Sequence, residues 1–269
     1  SMKNVGKILF ENNYLPVVPN YNETGVHLGT YGNMSILNKD NHIYITGRNV
    51  NKGDLTINDI SAIDRVQSVN IQEDLKKIYS YVYYSGIKPS IDTAIHSSIY
   101  ETTNYKAILH VHTDKVYLNF PLITENYPCG SNLEKDAIIQ MIKDHPENKV
   151  VQMYKHGLIV LGDTLEDCYN TLTSLNSELY IDYGSNEWET GAKEHFVDVA
   201  GYELPYFSQN DVHPICYDKE IIGNVYERRD LNPDIPQIKT IHFSIVTGEK
   251  AKRKGLGIIK KYHSLYENN

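Results

Sequence analysis

Apolar positions along this chain recur with strand and helix periods that interleave up to about residue 183. Residues 3–12 read as a short helix with Leu9 and Phe10 facing inward. Asn33–Leu37 and 42–46 read as strands joined by Asn38-Lys39-Asp40-Asn41, a run of turn formers. Residues 66–71 and 77–84 are further strand candidates. As a strand, the second sets Tyr79, Tyr81 and Tyr83 on one face and Ile78, Val82 and Tyr84 on the other. With both faces that apolar, periodicity alone equally allows a buried helix. Pro89-Ser90 opens a helix at about 90–101 with Ser90 as N-cap. Residues 107–112 and 115–119 read as strands. Residues 131–144 read as a helix carrying Leu133, Ala137, Ile138, Met141 and Ile142 at helical spacing. Strands at 150–154 and 158–161 follow, then an amphipathic helix over 164–180 capped by Asp163.

Beyond 183 the texture changes. Residues 184–215 are rich in Gly, Asn, Glu and Pro, with strand-like pieces at about 221–227, 239–246 and 256–262. The expected organisation is an α/β domain over 3–183 and a β-rich C-terminal extension, 184–269, packed on it. No internal repeat or low-complexity tract interrupts the chain.

Composition narrows the function classes. A length of 269 residues fits one large domain, or one of about 180–200 residues with an appendage, and a sizeable core is feasible. A net charge of −8 argues against a nucleic-acid binder held by general electrostatics and fits a protein that binds small molecules. Lys250, Lys252, Arg253, Lys254, Lys260 and Lys261 cluster near the C-terminus, either as a solvated basic face or as an anion-contacting tail. Cys129, Cys168 and Cys216 are scattered, without a CxxC pair, which suits a reducing compartment better than a disulfide framework. No apolar run approaches the ~20 residues of a membrane helix. The longest, around 157–162, suits a buried strand. No signal-peptide pattern opens the chain, so a cytoplasmic location is expected, and Ser1-Met2 reads as a tag-cleavage remnant. The 22 Tyr against 5 Phe and 1 Trp mark a preference for rings with a polar tip.

The sharpest chemical feature is His110-Val111-His112. In a strand, i and i+2 point the same way, so both imidazoles project together with Val111 behind them. Two adjacent imidazoles are costly to bury unpaired, and a divalent metal would account for them, three protein ligands plus an open position being the catalytic zinc pattern. A third histidine, His156, sits in Lys155-His156-Gly157 between two predicted strands.

An ordered set of motifs extends the pattern. Gly29-Thr30-Tyr31-Gly32-Asn33-Met34-Ser35 is followed by Ile45-Thr46-Gly47, Leu55-Thr56 and Asp59-Ile60. Next come Lys88-Pro89-Ser90-Ile91-Asp92-Thr93 with His96, then His110-Val111-His112. His156-Gly157-Leu158 and Gly162-Asp163-Thr164-Leu165-Glu166-Asp167 complete the series. In order and approximate spacing, over roughly residues 5–183, this set resembles the class II aldolase/adducin family.

That resemblance implies a single α/β domain with a central, mainly antiparallel sheet flanked by helices. It implies a fourfold homotetramer with active sites at subunit interfaces, and Zn²⁺ or another divalent metal on three histidines, which here match His110, His112 and His156. Aldolase chemistry of this kind needs a Lewis acid for a ketose's carbonyl and adjacent hydroxyl, stabilising the enediolate formed as the carbon–carbon bond breaks. It also needs a carboxylate to move protons. Asp92 matches that carboxylate, with Asp where the aldolases carry Glu; the 4-epimerase branch carries Asp. The plain alternative for Asp92 is a first-turn carboxylate favoured by the helix dipole. His96, on the same helical face, reads as a buried structural histidine.

On the substrate side, Asn33 and Ser90 match the family's phosphate contacts, and Ile91 replaces a second Ser. Arg48-Asn49 falls at a Ser/Thr-Gly pair, unless a shifted gap uses Thr46-Gly47 instead. Arg48 could grip an anion bidentately or be an exposed strand-end charge. The stretch between His112 and His156 is short, and no second catalytic acid of the epimerase type is recognisable in it. A C-terminal tyrosine is the family's usual proton donor; Tyr202, Tyr206, Tyr217, Tyr226, Tyr262 and Tyr266 qualify by type and none by motif. The expected function is a zinc-dependent aldolase-type lyase acting on a small phosphorylated or otherwise anionic ketose, with neither nucleic acid nor membrane as partner. A sugar-phosphate 4-epimerase or dehydratase of the same fold, or a non-catalytic metal-binding interaction module, are the alternatives.

Overall fold

The structure, a computed structural model, describes residues 1–22, 25–67, 80–84, 86–113, 115–124, 127, 130, 132–153, 156–176, 178–180, 195–200, 225–229 and 240–245. In chain order its elements are α1 (Met2–Glu11), β1 (Val17–Asn22), β2 (Gly25–Thr30), β3 (Asn33–Leu37), β4 (Ile43–Thr46), β5 (Ile60–Gln67) and β6 (Ser80–Tyr84). There follow α2 (Thr93–Thr102), β7 (Ala107–Val111), β8 (Lys115–Tyr117), β9 (Leu122–Ile123), α3 (Asn132–Asp144), β10 (Val150–Met153) and β11 (Gly157–Gly162). The last are α4 (Leu165–Thr173), β12 (Glu178–Tyr180), β13 (His195–Ala200), β14 (Val225–Arg229) and β15 (Thr240–Ile245).

Eleven of the described strands form one sheet in the order β13-β15-β14-β6-β5-β4-β3-β7-β11-β10-β9. Its pairs are antiparallel except β10 with β9 and β14 with β6. β1 pairs with β2, and β8 with β12, outside it. The fold is thus mixed α/β with a central, mainly antiparallel sheet flanked by helices, as expected.

Period-two alternation splits the buried side chains into two cores. From β7 and β11, Ala107, Leu109, Val111, Leu158 and Val160 pack with Val5 and Leu9 of α1 and Leu165, Cys168 and Leu172 of α4. Ile108, Ile159 and Leu161 face the other way, into a cluster with Ile95 and Ile99 of α2 and Ile138 and Ile142 of α3. His110 continues the Ile108 face of β7, so the strand that builds the α2–α3 core also carries the imidazole.

Several boundaries differ from the sequence reading. The helix expected from residue 90 begins at Thr93 with Asp92, not Ser90, at its N-cap. Ser90 N–H donates to the Thr46 carbonyl at 3.1 Å, and Gly47 bridges to Pro89, which keeps the segment extended. The helix expected over 164–180 starts one residue later and ends at Thr173. Its cap is Thr164 rather than Asp163, because Thr164 and Asp167 close a reciprocal capping box at 3.0 Å each way. Residues 178–180 instead form β12 against β8. β5 starts at Ile60, earlier than expected, and β1, β2 and β9 are additions. The 77–84 ambiguity resolves as a strand at 80–84, with Tyr83 in the core and the Tyr84 hydroxyl on Asp64.

Of the pieces expected after 183, β14 and β15 overlap two, and β13 was not foreseen. The 256–262 strand and the 250–261 basic cluster lie outside the described residues, as do the C-terminal tyrosines other than Tyr226 on β14. Cys168 is a free, buried thiol that burial pushes up to about 12; Cys129 and Cys216 lie outside the described residues. Among the described residues no helix is long and apolar enough to cross a membrane.

Candidate metal centre

β7 delivers His110 at its end and His112 just beyond, while His156 enters from the turn between β10 and β11. The three ring centroids lie 4.8 to 4.9 Å apart. One nitrogen of each ring falls within 4.8 Å of the other two, and all three residues are buried. Backbone contact sets this spacing. Gly157, at φ +113°, packs so closely that a Cβ there would stand 2.1 Å from the Val111 carbonyl oxygen and 2.9 Å from the His112 Cα.

The rings' protons are assigned by their partners. His110 Nδ1 lies 3.0 Å from the Leu158 carbonyl, which can only accept, so Nδ1 carries the hydrogen and Nε2 presents a lone pair. That Nε2 is buried and has no hydrogen-bond partner among the described residues. His156 Nδ1 is engaged by Glu134. Tyr31 stacks on His112 with centroids 5.0 Å apart. Burial, with the neighbouring imidazoles, lowers His110 to about 4 and His112 well below the usual histidine value. Burial also opposes charge on His156, but Glu134 and Asp92 outweigh it and raise its pKa. Three converging imidazole nitrogens, one a buried orphan, fit a divalent ion. His110, His112 and His156 could hold one.

Asp92 sits at the N-cap of α2, yet its side chain makes no capping hydrogen bond. Its Oδ2 instead accepts from Asn33 Nδ2 at 2.5 Å and lies 3.9 Å from His110 Nε2. Asn33 is aligned for this because β3 pairs with β7 in the register Asn33↔His110. Burial pushes the Asp92 carboxyl up, but His110, His156, His96 and the Asn33 hydrogen bond together hold it below the usual range. Ser90 lies against this group, its hydroxyl accepting the Asp92 N–H at 3.3 Å. Arg48 is half buried, with Nε and Nη1 shielded from solvent, and its N–H donates to the Lys88 carbonyl at 2.9 Å, which aligns its loop with the 88–90 segment. His96 is fully buried; its Nδ1 is bridged by the Ser35 hydroxyl at 2.6 Å, which also meets the Tyr100 hydroxyl at 2.7 Å.

Two ionisable residues here escaped the sequence reading. One is Glu134, in the first turn of α3. The other is Lys52, which reads in sequence as a turn lysine in Asn51-Lys52-Gly53-Asp54. Only 3% exposed, it donates to the Thr30 carbonyl at 2.5 Å and the Val50 carbonyl at 3.3 Å. Burial lowers it to about 7, the Asp92 charge opposing. Between about pH 7 and the unfolded-state value near 10.4 the unfolded chain therefore binds more protons, so stability rises with pH across that window. Relative to Lys52→Met, the parent is expected to gain about 2 kcal/mol of unfolding free energy from about pH 7 to about pH 9. Urea titrations of both proteins at the two pH values measure it. Parallel changes in the two would show that Lys52 is not depressed.

Comparison with known proteins follows the same lines. Residues 19–119 match the class II aldolase and adducin N-terminal domain. An L-fuculose phosphate aldolase of Methanococcus vannielii is 26% identical over 147 residues, covering 53% of this chain and 78% of that one. A methylthioribulose-1-phosphate dehydratase of Persephonella marina is 33% identical over 143 residues, covering 52% of this chain and 56%, just over half, of the dehydratase. The crystal structure of L-fuculose-1-phosphate aldolase from Thermus thermophilus aligns with a TM-score of 0.42 at 18% identity, over 64% of this chain and 86% of that one. Residues 19–119 are thus identified as a class II aldolase and adducin N-terminal domain, in line with the resemblance carried by the motifs.

Proposed function

We propose that this chain is a metal-dependent lyase that cleaves a carbon–carbon bond of a small phosphorylated or otherwise anionic ketose. The reading rests on one observation above the rest: three buried imidazoles face one another with the Asp92 carboxylate 3.9 Å from His110 Nε2. A divalent ion, Zn²⁺ by donor type, supplies Lewis acidity toward a ketose's carbonyl and adjacent hydroxyl when bound there. His110, His112 and His156 are its ligands. Asp92 is the acid/base, ionised and held in place by Asn33, and it moves the proton at the carbon beside the carbonyl. Asn33 also borders the substrate, with Ser90 and Arg48 on the anion side. Arg48 pairs with phosphate or carboxylate through its planar fork. A homotetramer is the proposed assembly, from the family resemblance.

A second reading, dehydration of the same kind of substrate, is favoured by the 33% identity over 143 residues to a methylthioribulose-1-phosphate dehydratase. Both readings use the same metal ligands and the same carboxylate, and they differ in the bond broken. Zn²⁺-loaded protein incubated with a panel of ketose phosphates separates them by mass spectrometry. Two carbonyl fragments are expected from cleavage, whereas a single product lighter by one water establishes the dehydratase. No product from any ketose phosphate, with metal bound, overturns both.

A further inference from the structure

We propose that Glu134 is a positioning residue of this metal centre, fixing the tautomer and aim of His156 and tying that ring to the turn that borders Asp92. The inference rests on the three-histidine reading above.

His156 is the ligand with the least support from its own element. It follows β10 in a turn, where its N–H donates to the Met153 carbonyl at 3.1 Å, and it precedes a glycine of positive φ. A ring so placed needs a partner on one nitrogen to direct the other. Glu134 reaches it from the first turn of α3. The carboxylate is 3% exposed, a burial that demands partners for both oxygens. Oε1 meets His156 Nδ1, and Oε2 accepts the Gly130 N–H at 2.7 Å. His110 is oriented in the same sense by a neutral acceptor, the Leu158 carbonyl. His156 is thus held by a carboxyl side chain where His110 is held by a peptide carbonyl.

The other end of the bond system reaches the acid/base segment. Gly130, at φ +68°, lies so close to the chain before Asp92 that a Cβ there would fall 2.8 Å from the Ile91 carbonyl oxygen. Ile91, Gly130, Glu134 and His156 therefore form a continuous chain of contacts between the Asp92 segment and the third metal ligand. A carboxylate serving only the α3 dipole would have no need of the imidazole.

The test uses the full chain and two variants. Glu134→Gln keeps the shape and removes the charge, and turns an amide toward the Gly130 N–H or the imidazole N–H. Glu134→Asp keeps the charge and shortens the reach. Zn²⁺ affinity is measured by chelator competition, and Co²⁺-loaded protein by its visible ligand-field bands. Glu134→Gln is expected to weaken Zn²⁺ binding about 10- to 100-fold and to shift the Co²⁺ bands. Glu134→Asp is expected to weaken binding less and shift them too; it carries the test if the glutamine variant does not fold. Affinity within about twofold of the parent and unchanged bands in the folded variants overturn the proposal while leaving the metal site standing. A parent that takes up neither metal overturns the three-histidine reading, and this inference with it.

Discussion

Protein carrying His110→Ala is expected to emerge from gel filtration without its metal, while the parent, reloaded with Zn²⁺, Co²⁺ or Mn²⁺, retains about one equivalent. Zinc affinities of protein sites reach ~10–16 kcal/mol in total, so one of three protein ligands accounts for several kcal/mol. Its loss weakens binding by at least about 10²-fold. The other two rings, each 4.8 Å from that of His110, are already ligands in this reading, and the Asp92 carboxylate is engaged by Asn33. The variant also removes the hydrogen bond to the Leu158 carbonyl, which costs about 1–3 kcal/mol if the group is left buried. Circular dichroism at a temperature where the parent is folded separates loss of metal from loss of fold. Full metal retention by a folded His110→Ala protein removes the triad as a metal site.

Asp92→Asn should do the opposite: the metal stays and turnover goes. The amide matches the carboxylate in size and can still accept from Asn33 through its oxygen, so the packing around α2 survives. It can neither take nor return a proton. General acid–base catalysis by one group contributes ~10²–10⁴-fold, and that is the expected fall in kcat for whichever ketose phosphate the chain turns over. Metal content measured on the same sample is the internal control. An unchanged rate makes Asp92 a structural partner of Asn33 and moves the acid/base role elsewhere.

What the sequence made legible was local. Alternation along β7 gave both the side of the sheet and the pairing of His110 with His112, because Ala107, Leu109 and Val111 are unmistakably one face. The Asn33 assignment came from the family resemblance, and its contact with Asp92 follows from strand register. Glu134 and Lys52 were invisible because their roles depend on partners far along the chain. In sequence, a first-turn Glu and a lysine between Asn and Gly are ordinary surface residues. Only the fold buries them, one against His156 and the other under the carbonyls of Thr30 and Val50. The start of α2 was misplaced for a related reason. Ser90 is a good cap by type, but its backbone is already engaged by Thr46. The β1–β2 pair went unpredicted because Pro19, Asn20 and Asn22 are poor strand formers.

Gly157 contributes no side-chain donor, yet it works as a gauge. Its bare Cα lets the main chain that carries His156 seat directly on the main chain of Val111 and His112. The spacing of the three rings therefore belongs to the backbone, and the imidazoles only fill it. Exchanging one ring for a carboxylate or a thiolate would change which ion the site prefers, with the same main-chain frame still holding the new donors apart.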